Sequence, residues 1–327
     1  MSQLRLNPLN GRWVTVVAAR SERPSDFAPR TSEVEVNAAA PCLFCPGHES
    51  ETRGATLELP GPDGTWSVRV VPNHYPAFSG DEPMAVTHRG PVFTEANASG
   101  LHEVLVLTSR HEGSWADLSE HEAAQVMEAL HDRMIQHAKA GRVRYTQAIV
   151  NHGREAGASV AHPHGQLLGI PFVPGEILDE EAGFARFEGS CLLCVTIEAE
   201  RLAGERVIFD DDDVIVLCPY WSASPFEMLV IPTEHQSHLP DAKPDTLEAV
   251  GRTLQTVLSR LRARVGDVAY NLVFHTAPHK HNSLYHWHAH VWPRLTTVAG
   301  FEQGTGVFVN VVPPEQAALY LNDHPTD

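Results

Sequence analysis

Hydrophobic positions along the chain fall into short β-branched runs interrupted by longer stretches of helical period, and the same order occurs twice. After Cys42-Leu-Phe-Cys45 come the extended runs VRVVPNHYPAF and HEVLVLTSRH, the second ending at His111. A helical stretch follows, then YTQAIVNHG and AHPHGQLLGI. After Cys191-Leu-Leu-Cys194 come DVIVLCPYW and FEMLVIPTEH, ending at His235, then a second helical stretch, YNLVFHTAP and YHWHAHVWP. Runs of this length and composition predict strands. The first helix carries a capping box, Ser119 with Glu122, ahead of Ala123, Val126, Met127, Leu130 and Met134 at helical spacing. The second opens on Asp245 and Glu248 and repeats Leu247, Val250, Leu254, Val257, Leu258 and Leu261. Between them VPGEILDEEAGFARFEGS, acidic and glycine-containing, reads as a linker. The expected fold is α+β: a duplicated unit with halves at 1–178 and 179–327, each an antiparallel sheet with packed helices.

Composition narrows the function classes. In 327 residues, 24 Lys and Arg face 41 Asp and Glu, a net charge of −17. Coating a phosphate backbone needs clustered basic charge, so nucleic acid and acidic membranes are not expected partners. No apolar run reaches the ~18 residues of a membrane span, and MSQLRLNPLNGRW lacks the basic-then-apolar pattern of a signal peptide. A cytoplasmic location is expected, where Cys-x-x-Cys reads as metal ligand or redox dithiol before disulfide. There are 20 histidines, so metal and phosphoryl chemistry enter the picture.

Two thiolates and two imidazoles make a tetrahedral zinc set. His102 and His111 compete for the first set, but Phe226 stands at the repeat position of His102, whereas His235 matches His111. The repeat therefore selects Cys42, Cys45, His111 and His162, with Cys191, Cys194, His235 and His286 as counterparts; the bland alternative is a reduced, packed cysteine pair. In His162-Pro163-His164-Gly165-Gln166, strand alternation puts His162, His164 and Gln166 on one face. A neutral imidazole attacks phosphorus well and an amide N–H can hold a non-bridging oxygen. Taken alone, the motif fits a metal pair or core histidines equally. Gly153 and Gly157 allow the positive φ of a phosphate-cradling turn, and no Gly-Lys-Ser/Thr P-loop is present. Asp210 to Asp213 reads as a solvated turn, His279 and His281 as loop residues, Trp221 and Trp287 as core or interface aromatics, and Cys218 as buried.

The motifs NPLNGRWV, ARSERPSDF, CLFCPGHE, PNHYPAF, NHGREAGASVAHPHGQ, PYWSASPFEMLVIPTEH and YHWHAHVWP resemble those of the galactose-1-phosphate uridylyltransferases and their histidine-triad relatives, over nearly the whole chain. The resemblance implies tandem histidine-triad-like halves, His164 as nucleophile and His162 as a zinc ligand. It implies ping-pong transfer: His164 attacks the α-phosphorus of a nucleotide sugar, sugar 1-phosphate leaves, and a second sugar 1-phosphate takes the nucleotidyl group. Gln166 then holds the transferred phosphoryl group, Asn151, Gly157 and Ser159 cradle phosphate, and Arg20 and Asn73 contact nucleotide. A homodimer is implied in the same way.

Two features depart from the uridylyltransferases: His74 follows Asn73 where they often carry Asp, and Gly300-Phe301-Glu302-Gln303-Gly304-Thr305-Gly306 is similar to relatives that transfer adenylyl groups. His288-Ala289-His290, with Glu180 and His275, instead resembles an iron-type structural site; the cysteine set is favoured for the second half because thiolates select zinc. The leading expectation is exchange between UDP-glucose and galactose 1-phosphate. Its alternatives are adenylyl or guanylyl transfer, phosphorolysis of a nucleotide sugar, and a zinc-stabilised module without catalysis.

Overall fold

The computed structural model describes residues 2–17, 41–62, 64–281 and 284–323, and Arg20 lies outside them. Along the chain run β1 (Gln3–Leu6), β2 (Trp13–Val16), β3 (Leu57–Pro60), β4 (Trp66–Pro72), β5 (Val86–His88), β6 (Thr94–Ala96), β7 (Leu101–Val106), α1 (Glu120–Lys139), β8 (Tyr145–His152) and β9 (His164–Ile170). There follow α2 (Gly175–Arg186), α3 (Leu192–Ala203), β10 (Val207–Asp210), β11 (Val214–Leu217), β12 (Met228–Pro232), α4 (Pro244–Val265), β13 (Tyr270–His275), β14 (His288–Pro293), α5 (Gly300–Thr305), β15 (Phe308–Asn310) and α6 (Pro314–Asn322).

Each half builds an antiparallel sheet with packed helices, as the repeat predicts. The two sheets join edge to edge in one ten-stranded sheet of order β10-β11-β12-β14-β13-β8-β9-β7-β4-β3. The seam is the antiparallel pair β8–β13, in register from Tyr270 opposite His152 to Phe274 opposite Ala148.

Strand alternation gives this sheet two unlike faces. Ala148, Val150, Leu167, Leu272, Phe274, Ala289 and Val291 point to one face and pack on α1 and α4. The predicted capping box starts α1: Ser119 accepts the Glu122 amide while Glu122 accepts the Ser119 amide. Burial of Val126, Met127, Leu130 and Met134 follows from their spacing, and each such side chain contributes about 1.5–3 kcal/mol. Helix α4 starts on Pro244 with Asp245 in its first turn. It lies so close to α1 that Gly251 leaves no room for a Cβ, which would stand 2.7 Å from the Ala123 carbonyl oxygen.

The opposite face carries Asn151, His164, Gln166, Asn271, His275, His288 and His290. Over the second half it is covered by α2 and α3, through Phe184, Leu192, Leu193 and Ile197 on Ile215, Leu217, Leu229 and Ile231. The stretch read as a linker is thus helix α2. Its acidic residues mask an apolar stripe of Ile177, Gly183 and Phe184, buried together with Glu180. A small sheet, β1-β2-β15, ties residues 3–16 to the C-terminal region, with β2 and β15 parallel. The remaining expectations for single residues hold: Asp211 Oδ1 caps the Asp213 and Val214 amides in an acidic turn, and Cys218, Trp221 and Trp287 are buried. His279 is on a loop but buried, its Nε2 2.8 Å from Thr146 Oγ1. No described helix is long and apolar enough to cross a membrane.

Candidate active site and its metal-ligand clusters

The sequence-predicted sets assemble in space. Ligand atoms of Cys42, Cys45, His111 and His162 lie within 4.8 Å of one another. His162 Nε2 donates to the Thr108 carbonyl at 2.8 Å, so the lone pair is on Nδ1, 3.7 Å from both sulfurs. His111 Nδ1 is 3.3 Å from Cys45 Sγ. Burial, His111 and His164 push His162 down to about 4, against the Thr108 hydrogen bond. The ring is therefore neutral, as a ligand must be. Burial and the neighbouring Cys42 push the Cys45 thiol up to about 11, so this set holds a proton that a cation would displace.

The second set repeats the arrangement. His286 Nε2 donates to the Pro232 carbonyl at 2.9 Å, and its Nδ1 is 3.5 and 3.6 Å from Cys191 and Cys194. Cys194 Sγ is 3.7 Å from His235 Nδ1. A third cluster, Glu180, His275, His288 and His290, is wholly buried and again holds its ligand atoms within 4.8 Å. It shares no residue with the cysteine set, so the second half forms both. Its donors fit a cation: His288 Nδ1 donates to the His286 carbonyl at 2.8 Å, leaving a lone pair on Nε2. That atom is 3.1 Å from His290 Nε2, and buried His290 Nδ1 has no hydrogen-bond partner. Glu180 holds His275 Nδ1 at 3.0 Å and accepts from Tyr285 Oη.

Two residues past His162, His164 repeats the geometry of His288, its Nδ1 donating to the His162 carbonyl at 2.8 Å. This fixes the tautomer with the lone pair on Nε2. Burial lowers its pKa against that hydrogen bond, so the ring is neutral at pH 7. Unlike His288, His164 lines a cavity of about 790 Å³, and among the described residues no counterpart of α2 covers the first half's face. His111, Asn151, Arg154 and His162 line it from the first half, and Arg262, Asp267 and Tyr270 from the second. Arg262 is held by Asp117 at 2.7 and 2.8 Å.

The other predicted residues divide. Gln166 shares the face of His164, with Oε1 2.8 Å from His102 Nε2. His102 is thus not a metal ligand but a neighbour of Gln166, a role that ligand spacing has no means of signalling. Asn151 Oδ1 accepts from Asn271 Nδ2 at 2.7 Å across the seam, a partner that no local sequence pattern signals. Asn73 Oδ1 accepts the Tyr75 amide at 2.8 Å. Gly157 is left-handed at φ 86°, but its amide donates to the Arg154 carbonyl. It therefore shapes the turn and offers no free N–H. Ser159 is exposed between cavity-lining Ala158 and Val160. The 300–306 segment is an exposed helix, α5, outside the cavity lining.

Residues 1–174 match the family model of the galactose-1-phosphate uridyl transferase N-terminal domain, and residues 201–297 match that of the HIT domain. The chain is 30% identical to ADP-glucose phosphorylase of Arabidopsis thaliana, covering 98% of this chain and 92% of that one. It is 28% identical to galactose-1-phosphate uridylyltransferase of Thermotoga maritima, over 99% and 98%. The crystal structure of the Arabidopsis thaliana ADP-glucose phosphorylase with bound ADP-glucose superposes with a TM-score of 0.84 at 27% identity, over the full length of both chains.

Proposed function

The chain belongs to the galactose-1-phosphate uridylyltransferase family of histidine-triad nucleotidyltransferases, and from that premise we propose that His164 is the nucleophile of a nucleotide-sugar phosphorylase. A nucleotidyltransferase of this family acts on hexose 1-phosphates. The proposed donor is ADP-glucose and the acceptor inorganic phosphate. His164 Nε2 attacks the α-phosphorus; the P–N bond forms as the bond to the bridging oxygen breaks, and glucose 1-phosphate leaves with the electron pair. A phosphate oxygen then attacks the same phosphorus, the P–N bond breaks, and the nucleoside diphosphate departs. Gln166 donates to a non-bridging oxygen, Asn151 and Ser159 cradle phosphate beside the turn that Gly157 shapes, and Arg20 and Asn73 contact the nucleotide. Zinc in the two Cys₂His₂ sets supplies structural cross-links, and the Glu180 cluster suits an iron-type ion. The observation that carries the reading is the fixed neutral tautomer of His164 at the cavity, with its lone pair on Nε2. The choice of adenine and phosphate is supported by the Arabidopsis relative, by His74 and by the 300–306 segment.

The second reading, exchange between UDP-glucose and galactose 1-phosphate, is supported by the Thermotoga relative and by the intact HPHGQ motif. One experiment separates them. The protein is mixed with ADP-glucose or UDP-glucose, the mass of the adduct is read, and phosphate or galactose 1-phosphate is then added. An adenylyl adduct on His164 discharged by phosphate is the expected result, and His164→Asn should form none. A uridylyl adduct discharged only by the sugar phosphate would establish the second reading, and no adduct at all would overturn both.

A further inference from the structure

A carboxamide that is to hold a phosphoryl oxygen must present its NH₂ and not its oxygen, and nothing in an amide's shape enforces that choice. At Gln166 a neighbour enforces it. His102 is on β7, diagonal to Gln166 on the same face of the sheet, with Leu168 directly opposite. Its Nδ1 accepts the backbone N–H of Ala77 at 3.0 Å. A neutral imidazole has one proton, so that proton is on Nε2, 2.8 Å from Gln166 Oε1. With its oxygen engaged, Gln166 can only turn its NH₂ outward.

The same ring nitrogen is 3.2 Å from Asn73 Nδ2. Because Asn73 Oδ1 is held by the Tyr75 amide, and the Nε2 proton already serves Gln166, the Asn73 NH₂ is left to a ligand as well. One imidazole thereby joins the 73–77 loop to the strand that carries the nucleophile.

We propose that His102 is a positioning residue: it fixes Gln166 with its NH₂ toward the transferring phosphoryl group and registers that donor with the 73–77 loop. This rests on the reading of His164 as nucleophile, and the test separates the two claims.

The first measurement needs no activity. Long-range ¹H–¹⁵N spectra of the full chain labelled at histidine, with His102 assigned from His102→Phe, should show a neutral Nε2–H tautomer. A Nδ1–H tautomer would overturn the proposal. The second is single-turnover adduct formation with ADP-glucose and UDP-glucose. Losing one oxyanion donor slows enzymes by about 10²–10³; leaving that donor free to turn away should slow the saturated rate of His102→Phe by about 10–100-fold. Half-saturation should move less than about threefold and metal content should be unchanged. His102→Gln, which restores an N–H toward Oε1, should recover most of the rate. His102→Phe combined with Gln166→Ala should be no slower than Gln166→Ala alone, because the two act through one group. Multiplying losses, or a loss confined to half-saturation, would overturn the proposal. A wild-type chain with the Nε2–H tautomer but no adduct would overturn the nucleophile reading, and with it the role of Gln166 that His102 serves.

Discussion

Glu103 shows how far a single buried carboxylate is set by its neighbours. Burial alone would raise its pKa, but His137 Nε2 at 3.0 Å and Arg133 at 2.8 and 2.9 Å win, and the group is pushed down to about 2. A carboxylate whose folded pKa is depressed stabilises the protein above its unfolded pKa. That contribution fades as pH falls from the ordinary 4.5 toward 2, and the interval corresponds to about 3 kcal/mol. Urea midpoints at pH 7, 4 and 3 should show this fade in the wild type. Glu103→Gln should be destabilised by about 3 kcal/mol at pH 7, with a flatter acid dependence. The side chains proposed to do chemistry were legible in the sequence: the cysteine pairs and their histidines by spacing and repeat, and His164 and Gln166 by a motif that resembles the family's. Residues that act by orienting others were not. His102 and Asn271 contribute only through hydrogen bonds that exist once β7 meets β9 and β8 meets β13, and no local pattern encodes those pairings.

At the level of elements, the two long helices follow from their one-sided apolar period, and the central strands, buried on both faces, from continuous apolar runs. Helix α2 escaped because its one buried stripe mixes apolar and charged residues: Ile177 and Phe184 pack in apolar clusters while Glu180, on the same stripe, is buried in a polar one. A buried carboxylate reads as a solvated one until its partners are known. The helix docks through Gly183, where a Cβ would stand 1.8 Å from the Leu9 carbonyl oxygen and 2.8 Å from that of Pro8. Since backbone cannot yield as a side-chain tip does, Gly183→Ala should cost about 2–4 kcal/mol. This should appear as a thermal midpoint lowered by several degrees, although alanine is the better helix former. A midpoint at or above the wild type would show that the 7–11 turn is not pressed against α2.

For the whole molecule, the three candidate clusters predict that stability depends on metal content. Without metal, burial and Cys191 push the Cys194 thiol up to about 12, and Cys45 is at about 11. Both are protonated at neutral pH. Adding zinc to the stripped protein in weakly buffered solution should therefore release at least two protons per chain. Apparent affinity should fall as the pH is lowered, and chelation should lower the thermal midpoint. Zinc uptake without proton release would exclude the thiols as ligands. The duplicated plan was legible in the order of motifs, but the fusion of the two sheets was not, since either half could have closed on its own. That fusion has a consequence for how the two copies bear on each other. With Asn271 of the second copy hydrogen-bonded to Asn151 of the first across β8–β13, the copy that carries His164 is braced by the other. Its sibling, with His288 sealed beneath α2 while His164 lines the cavity, serves as a fixed abutment for it. The two copies therefore act as one mechanical unit: a substitution at Asn271 should be felt at Asn151, although the two residues are 120 positions apart in the chain.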